Sequence, residues 1–76
     1  MILSDPFPFA LKGKPAQLRV VRSNGYCWGE IRCGTERHAV NSRIDLYERT
    51  DEQAAQVLIA KAKRHPDALE PSLVSS

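Results

Sequence analysis

Most of the short signatures that carry chemistry are missing from this chain. Its 76 residues hold no G-x-G-x-x-G, no G-x-x-x-x-G-K-[ST] and no H-E-x-x-H, which removes the phosphate cradles and helix-borne metal sites that those spacings build. Histidine is scarce. His38 and His65 are the only two; neither adjoins a plausible nucleophile, and no pair of carboxylates flanks a Gly-rich or strand-end loop. A chain this short is also expected to have difficulty enclosing a pocket of a few hundred cubic ångströms. Catalysis is therefore not expected, and no cofactor is implied.

Long apolar runs are absent too. The longest, Val57-Leu58-Ile59-Ala60, is far short of the roughly 18 residues of a membrane span. The start, Met1-Ile2-Leu3-Ser4-Asp5-Pro6, has no basic region, and Asp5-Pro6 would interrupt a signal core. A cytoplasmic protein without a membrane segment is the expectation. Cysteine is limited to Cys27 and Cys33. On one strand, six residues at about 3.3 Å each would set them about 20 Å apart, well beyond the roughly 7 Å between Cα atoms that a disulfide tolerates. The spacing is not C-x-x-C, and only His38 is close enough in sequence to join them on a metal. Free, packed thiols are expected.

What is present is the composition of one globular domain, 42% hydrophobic and 26% charged, in a length that leaves no room for a second core. The strongest local signal is Ser23-Asn24-Gly25, set between the β-favouring runs 17–22 (QLRVVR) and 26–32 (YCWGEIR), a hairpin signature. A two-residue loop at Asn24-Gly25 puts Ser23 opposite Tyr26, Arg22 opposite Cys27, Val21 opposite Trp28, Val20 opposite Gly29, Arg19 opposite Glu30 and Leu18 opposite Ile31. Alternation then sorts the side chains. Leu18, Val20, Cys27, Ile31 and Cys33 share a core face, and Arg19, Val21, Tyr26, Trp28, Glu30 and Arg32 share the other.

A second turn at 33–37 (CGTER) leads to a third strand around His38-Ala39-Val40. A four-residue loop, opposing Cys33 to His38 and Ile31 to Val40, is preferred, because a two-residue loop would oppose Arg32 to Arg37. Residues 43–47 (RIDLY) alternate like a fourth strand, although Ser42 and Asp45 have the spacing of a helix cap. Thr50 with Gln53 forms a capping box for a helix that Pro66 stops. Ala55, Leu58, Ile59 and Ala62 make its apolar stripe, with acids at its start and Lys61, Lys63, Arg64 and His65 at its end. Residues 67–76 read as a flexible tail. Residues 1–16, interrupted by Pro6, Pro8 and Pro15, read as an extended arm, since proline withholds a backbone donor. Phe7 and Phe9 on that arm either fold back on the core or form a docking peptide for a partner's groove. The expected architecture is α+β, with a three- to four-stranded antiparallel sheet covered by one C-terminal helix.

Charge separates the two halves. Residues 1–43 hold seven bases and three acids, giving +4, and residues 44–76 hold four bases and six acids, giving −2. A basic sheet bearing Tyr26 and Trp28 suits either a protein hot spot or a nucleic-acid platform. The protein partner is preferred, because the net charge is only +2 and no aromatic RNA-binding motif is present. The candidate contact residues are Phe7, Phe9, Arg19, Arg22, Tyr26, Trp28, Arg32, Arg37 and Arg43, and an acidic patch is their complement.

In its size, its basic hairpin (RVVRSNGYCWGEIRCG) and its Pro/Phe arm (SDPFPF), the chain resembles the small host-takeover proteins of bacteriophages, most of all the RNA polymerase-binding transcription regulators of Xanthomonas phages. That resemblance implies a monomer acting in the bacterial host cytoplasm. It would bind near the N-terminal part of the polymerase β′ subunit, displace the σ factor, inhibit initiation and act secondarily in antitermination. The layout is similar to that of anti-CRISPR inhibitors as well, and a nucleic-acid-binding module is the other alternative.

Overall fold

In a computed structural model of the chain, which describes residues 1–42 and 45–71, six strands form one antiparallel sheet. They are β1 (Ile2–Leu3), β2 (Phe7–Leu11), β3 (Lys14–Ser23), β4 (Tyr26–Cys33), β5 (Glu36–Val40) and β6 (Glu70–Pro71). The order is β1-β3-β4-β5-β6, with β2 also beside β3. One helix, α1 (Asp51–Arg64), packs on the face formed by β2 to β5. This is the α+β arrangement read from the sequence, extended by short strands at both edges.

Asn24 and Gly25 turn the chain between β3 and β4 with φ values of 51° and 81°, the left-handed pair that a type I′ turn requires. Every cross-strand partner expected from that turn is found, from Ser23 with Tyr26 to Leu18 with Ile31. The second hairpin differs. Gly34, at φ 61°, takes the glycine position of a two-residue type II′ turn, and Arg32 stands opposite Arg37 with Ile31 opposite His38. The expected four-residue loop is thus replaced by the two-residue one, whose register carries the like-charge pair. The reason lies on the other face. The observed register seats Val40 opposite Gly29, where its Cγ1 would lie 2.9 Å from a Cβ built on that glycine. Core packing there outweighs a like-charge pair, which costs only some tenths of a kcal/mol to about 1 kcal/mol in solvent.

Residues 1–16 are extended but belong to the sheet. Lys12 (φ 52°) and Gly13 (φ 76°) form a second tight turn, pairing Leu11 with Lys14, Phe9 with Ala16 and Phe7 with Leu18. Counting outward from the closing pair, Pro8 and Pro15 fall at the positions whose amide groups point away from the partner strand. Their missing N–H groups therefore cost β2 and β3 no mutual hydrogen bond. Where the chain passes from β1 to β2, the Ser4 N–H donates to the Val20 carbonyl at 2.9 Å, and the Val20 N–H donates to Ser4 Oγ at 2.8 Å.

The core lies between the sheet and α1. Leu18, Val20, Ile31, Ala54, Leu58 and Ala62 are fully buried there, with Leu46 supplied by the segment before the helix. Each large aliphatic among them contributes about 1.5–3 kcal/mol relative to exposure. The capping box is present, Thr50 Oγ1 accepting from the Gln53 N–H and Gln53 Oε1 from the Thr50 N–H. Ile59, expected in the buried stripe, is half-buried. Arg43 and Ile44 of the expected fourth strand lie outside the described residues. Asp45 to Tyr47 is not a strand but a turn in which an Asp45 carboxylate oxygen accepts from the Tyr47 N–H at 3.0 Å. After α1 a short 3-10 turn, Pro66–Ala68, leads to β6 on the edge of β5, and Lys12 pairs with Asp67. Residues 72–76 of the expected tail lie outside the described residues.

Candidate functional site

Alternation along β3, β4 and β5 gives the sheet a face turned away from α1, and register aligns its residues in rows. One row runs Leu3, Val21, Trp28 across β1, β3 and β4. The next is Arg19 with Glu30, followed by Ala39 on β5, and the third is Arg32 with Arg37. Tyr26 stands beyond Trp28 at the hairpin tip and is 72% exposed. The Gly34 turn makes Cys33 and Glu36 the hydrogen-bonded closing pair, so Arg32 and Arg37 form the closer, non-hydrogen-bonded kind of pair.

Arg19 and Arg32 are exposed, and Arg37 and Trp28 are half-buried. Two residues of this face are buried against expectation: Val21 is fully so, and Glu30 is 9% exposed. Val21 is small and stands between Leu3 and Trp28, two larger neighbours in its own row. Glu30 stands among arginines. Three guanidinium groups against one carboxylate leave the face basic with an apolar row at one side.

The other expected contact residues are placed differently. Phe7 and Phe9 are half-buried against the core, on the helix side of β2, so of their two readings the folded-back one describes their position. Arg22 shares the helix face with Cys27. Its guanidinium donates to the Tyr47 carbonyl at 3.1 Å and to the Arg49 carbonyl at 2.6 Å, and pairs with Asp51. That is a structural clasp on the start of α1 rather than a free contact residue. Arg43 lies outside the described residues. The sequence reading missed Leu3, which alternation in so short a strand does not reveal. Met1, Ile2 and Leu3 are 70%, 68% and 40% exposed, an apolar edge continuous with the Val21 and Trp28 row.

Beside the hairpin tip is an open groove of about 440 Å³, lined by Tyr26, Cys27, Trp28, Asn41, Asp45 and Leu46 among others. It is a surface trough rather than the enclosed pocket that so short a chain has difficulty building. Cys27 and Cys33 are free and half-buried. Burial pushes the Cys27 thiol up from its ordinary value; the Arg22 charge opposes this, and Asp45 and Asp51 add to it. The fold thus favours the neutral thiol. Its contribution to stability is complete below the unfolded-chain value and is lost as pH rises through the folded one. In a Cys33→Ser variant, alkylation of Cys27 by iodoacetamide should follow a pH curve displaced upward from that of the urea-unfolded chain. A coincident or downward-displaced curve would contradict this placement of the thiol.

Among the described residues no group of three or more His, Cys, Asp or Glu is placed to hold a metal ion, and no helix is long and apolar enough to cross a membrane. No protein-family model, curated protein or solved structure matches the chain.

Proposed function

We propose that the chain is a small regulatory protein that works stoichiometrically, docking the outer face of its sheet on an acidic surface of a protein partner. The partner that the phage-type resemblance favours is bacterial RNA polymerase, bound through its β′ subunit region in the host cytoplasm. The outcome is inhibition of transcription initiation.

The observation that carries this reading is the sequence of rows on the face that α1 leaves open: an apolar row in which Leu3 and Trp28 flank the buried Val21, then Arg19 with Glu30, then Arg32 with Arg37. Aromatic and arginine side chains around an apolar centre are the usual content of protein hot spots. A nucleic-acid platform fits less well. Leu3 and Val21 offer no ring for a base to stack on, and Glu30 sits where a phosphate backbone would pass.

Tagged chain should recover polymerase subunits from a bacterial lysate, and the double variant Arg19→Gln with Arg32→Gln, which puts no new carboxylate beside the buried Glu30, should weaken that capture by about tenfold or more. Recovery of no polymerase subunit would sink the choice of partner. Binding of oligonucleotides that quenches Trp28 and falls steeply with salt would instead point to nucleic acid.

A further inference from the structure

Hydrogen-bond phase decides which backbone groups leave the sheet. The two-residue Asn24-Gly25 turn makes Ser23 and Tyr26 a hydrogen-bonded pair, so the odd-numbered residues of β3 bond to β4 and the even-numbered ones, Arg22 among them, bond to the strands on its other side. Ile2, opposite Arg22, therefore bonds inward, and Leu3, opposite Val21, turns its N–H and C=O out of the sheet. β1 ends the strand order on that side. On β2 and β6 the same kind of outward position is held by a proline, Pro8 opposite Gln17 and Pro71 opposite His38. Each withholds the donor that an incoming strand would use. β1 has no such guard. Its side chains are open as well: Ile2 on the helix side is 68% exposed, Leu3 on the other face 40%, and Met1 before them 70%.

An edge with an outward donor and acceptor, and with aliphatic side chains on both faces, suits an extended segment of like chemistry. We infer that β1 receives an extended aliphatic segment of the protein partner, added to the sheet as a further strand that exchanges hydrogen bonds with Leu3 and flanks Ile2 and Leu3 with its own side chains. The inference rests on reading the chain as a protein-binding module and names one element of the partner. Leu3 belongs to the apolar row of the docking face, so a partner seated on that face is already beside the edge. A second copy fits less well. Two β1 strands paired about Leu3 would engage only about five residues a side before Pro6 intervenes, against about 20–30 in a stable interface.

The probe is acetyl-Glu-Val-Ile-Val-Glu amide, titrated into the full chain and followed by amide NMR. Saturable shifts at Ile2 and Leu3 and slower hydrogen exchange of the Leu3 amide are expected, with a dissociation constant on the order of millimolar. The same peptide N-methylated at its central Val-Ile-Val, and so without those donors, should bind at least about tenfold more weakly. Leu3→Pro repeats on β1 what Pro8 does on β2, removing an outward donor and no inward one, and should abolish the shifts while the remaining resonances stay those of the folded chain. Leu3→Val keeps the donor and should keep the binding. Absence of shifts at Leu3, equal binding of the N-methylated peptide, or full binding by Leu3→Pro would each overturn the inference. Shifts at Leu3 on concentrating the chain alone would give the edge to a second copy and overturn it too. The probe contains no polymerase, so the edge and the polymerase assignment fail separately. Peptide binding without polymerase capture would leave the edge standing, and polymerase capture without peptide binding would remove only the edge.

Discussion

Replacing Gly29 by valine is expected to lower the unfolding free energy by at least about 3 kcal/mol, and Gly29→Ala by about 1–2 kcal/mol. A Cβ on Gly29 would lie 2.9 Å from Val40 Cγ1, 3.0 Å from Leu18 Cδ1 and 3.2 Å from Leu58 Cδ1. Those three side chains come from β5, β3 and α1 and are 3%, 0% and 0% exposed, so none can swing into solvent to make room. Alanine would otherwise gain about 0.5–1 kcal/mol over glycine inside a strand; overpacking reverses that sign. A domain of 76 residues has about 4–11 kcal/mol in total at 0.05–0.15 kcal/mol per residue, and each 1 kcal/mol moves the melting midpoint by about 4–8 °C at this size. Thermal melts of the two variants check the claim directly. An alanine variant as stable as the parent would show that Val40, Leu18 and Leu58 can shift enough to admit a methyl group over Gly29.

The same contact explains what the sequence reveals and what it hides. Asn24-Gly25 and Thr50 with Gln53 were legible because their signals are local. A left-handed residue pair and a capping box each need only three or four neighbours, and both appear as read. The register of β4 with β5 is not local. It is decided by Val40 filling the space over Gly29 beneath Leu58, a contact spanning three elements, and side-chain charge counted in isolation points to the wrong loop. Pro8 and Pro15 mislead for a related reason. Proline's lost donor matters only when the ladder needs it, and the phase set by the Lys12-Gly13 turn decides that need.

Of the candidate site, the face bearing Arg19, Tyr26, Trp28 and Arg32 follows from alternation about a single turn and could be written down at once. Leu3 and Asp45 could not. Each is distant in sequence from the hairpin and joins it only through a tertiary placement, one by pairing with Val21 and the other by lining the groove. Arg22 shows the converse error. Its charge marks it as a contact residue when read alone, whereas the partners that hold it are 25 to 29 positions away.

Arg22→Met is therefore expected to act on the fold, lowering stability by about 2 kcal/mol while leaving partner capture per folded molecule unchanged. Methionine keeps an apolar stem of similar reach, so the loss reports the guanidinium and not the packing. Only 17% of the Arg22 side chain is exposed, against 47% for Asp51, and the carbonyls of Tyr47 and Arg49 accept from its Nε and Nη2. Hydrogen bonds to a charged donor contribute about 1.5–3 kcal/mol, whereas a half-exposed ion pair is discounted to about 1 kcal/mol or less. Both carbonyl contacts lie at the surface, so together they stand at the low end of that range, and the ion pair adds the rest. Two measurements separate the parts: Asp51→Asn should cost less than Arg22→Met, and the double variant should give a coupling of about 1 kcal/mol or less. In 1 M NaCl the Asp51→Asn deficit should shrink as the ion pair is screened, while the larger part of the Arg22→Met deficit should persist. If Arg22→Met instead kept full stability and lost partner capture, the clasp would not be what holds the start of α1 to the sheet, and Arg22 would return to the binding face.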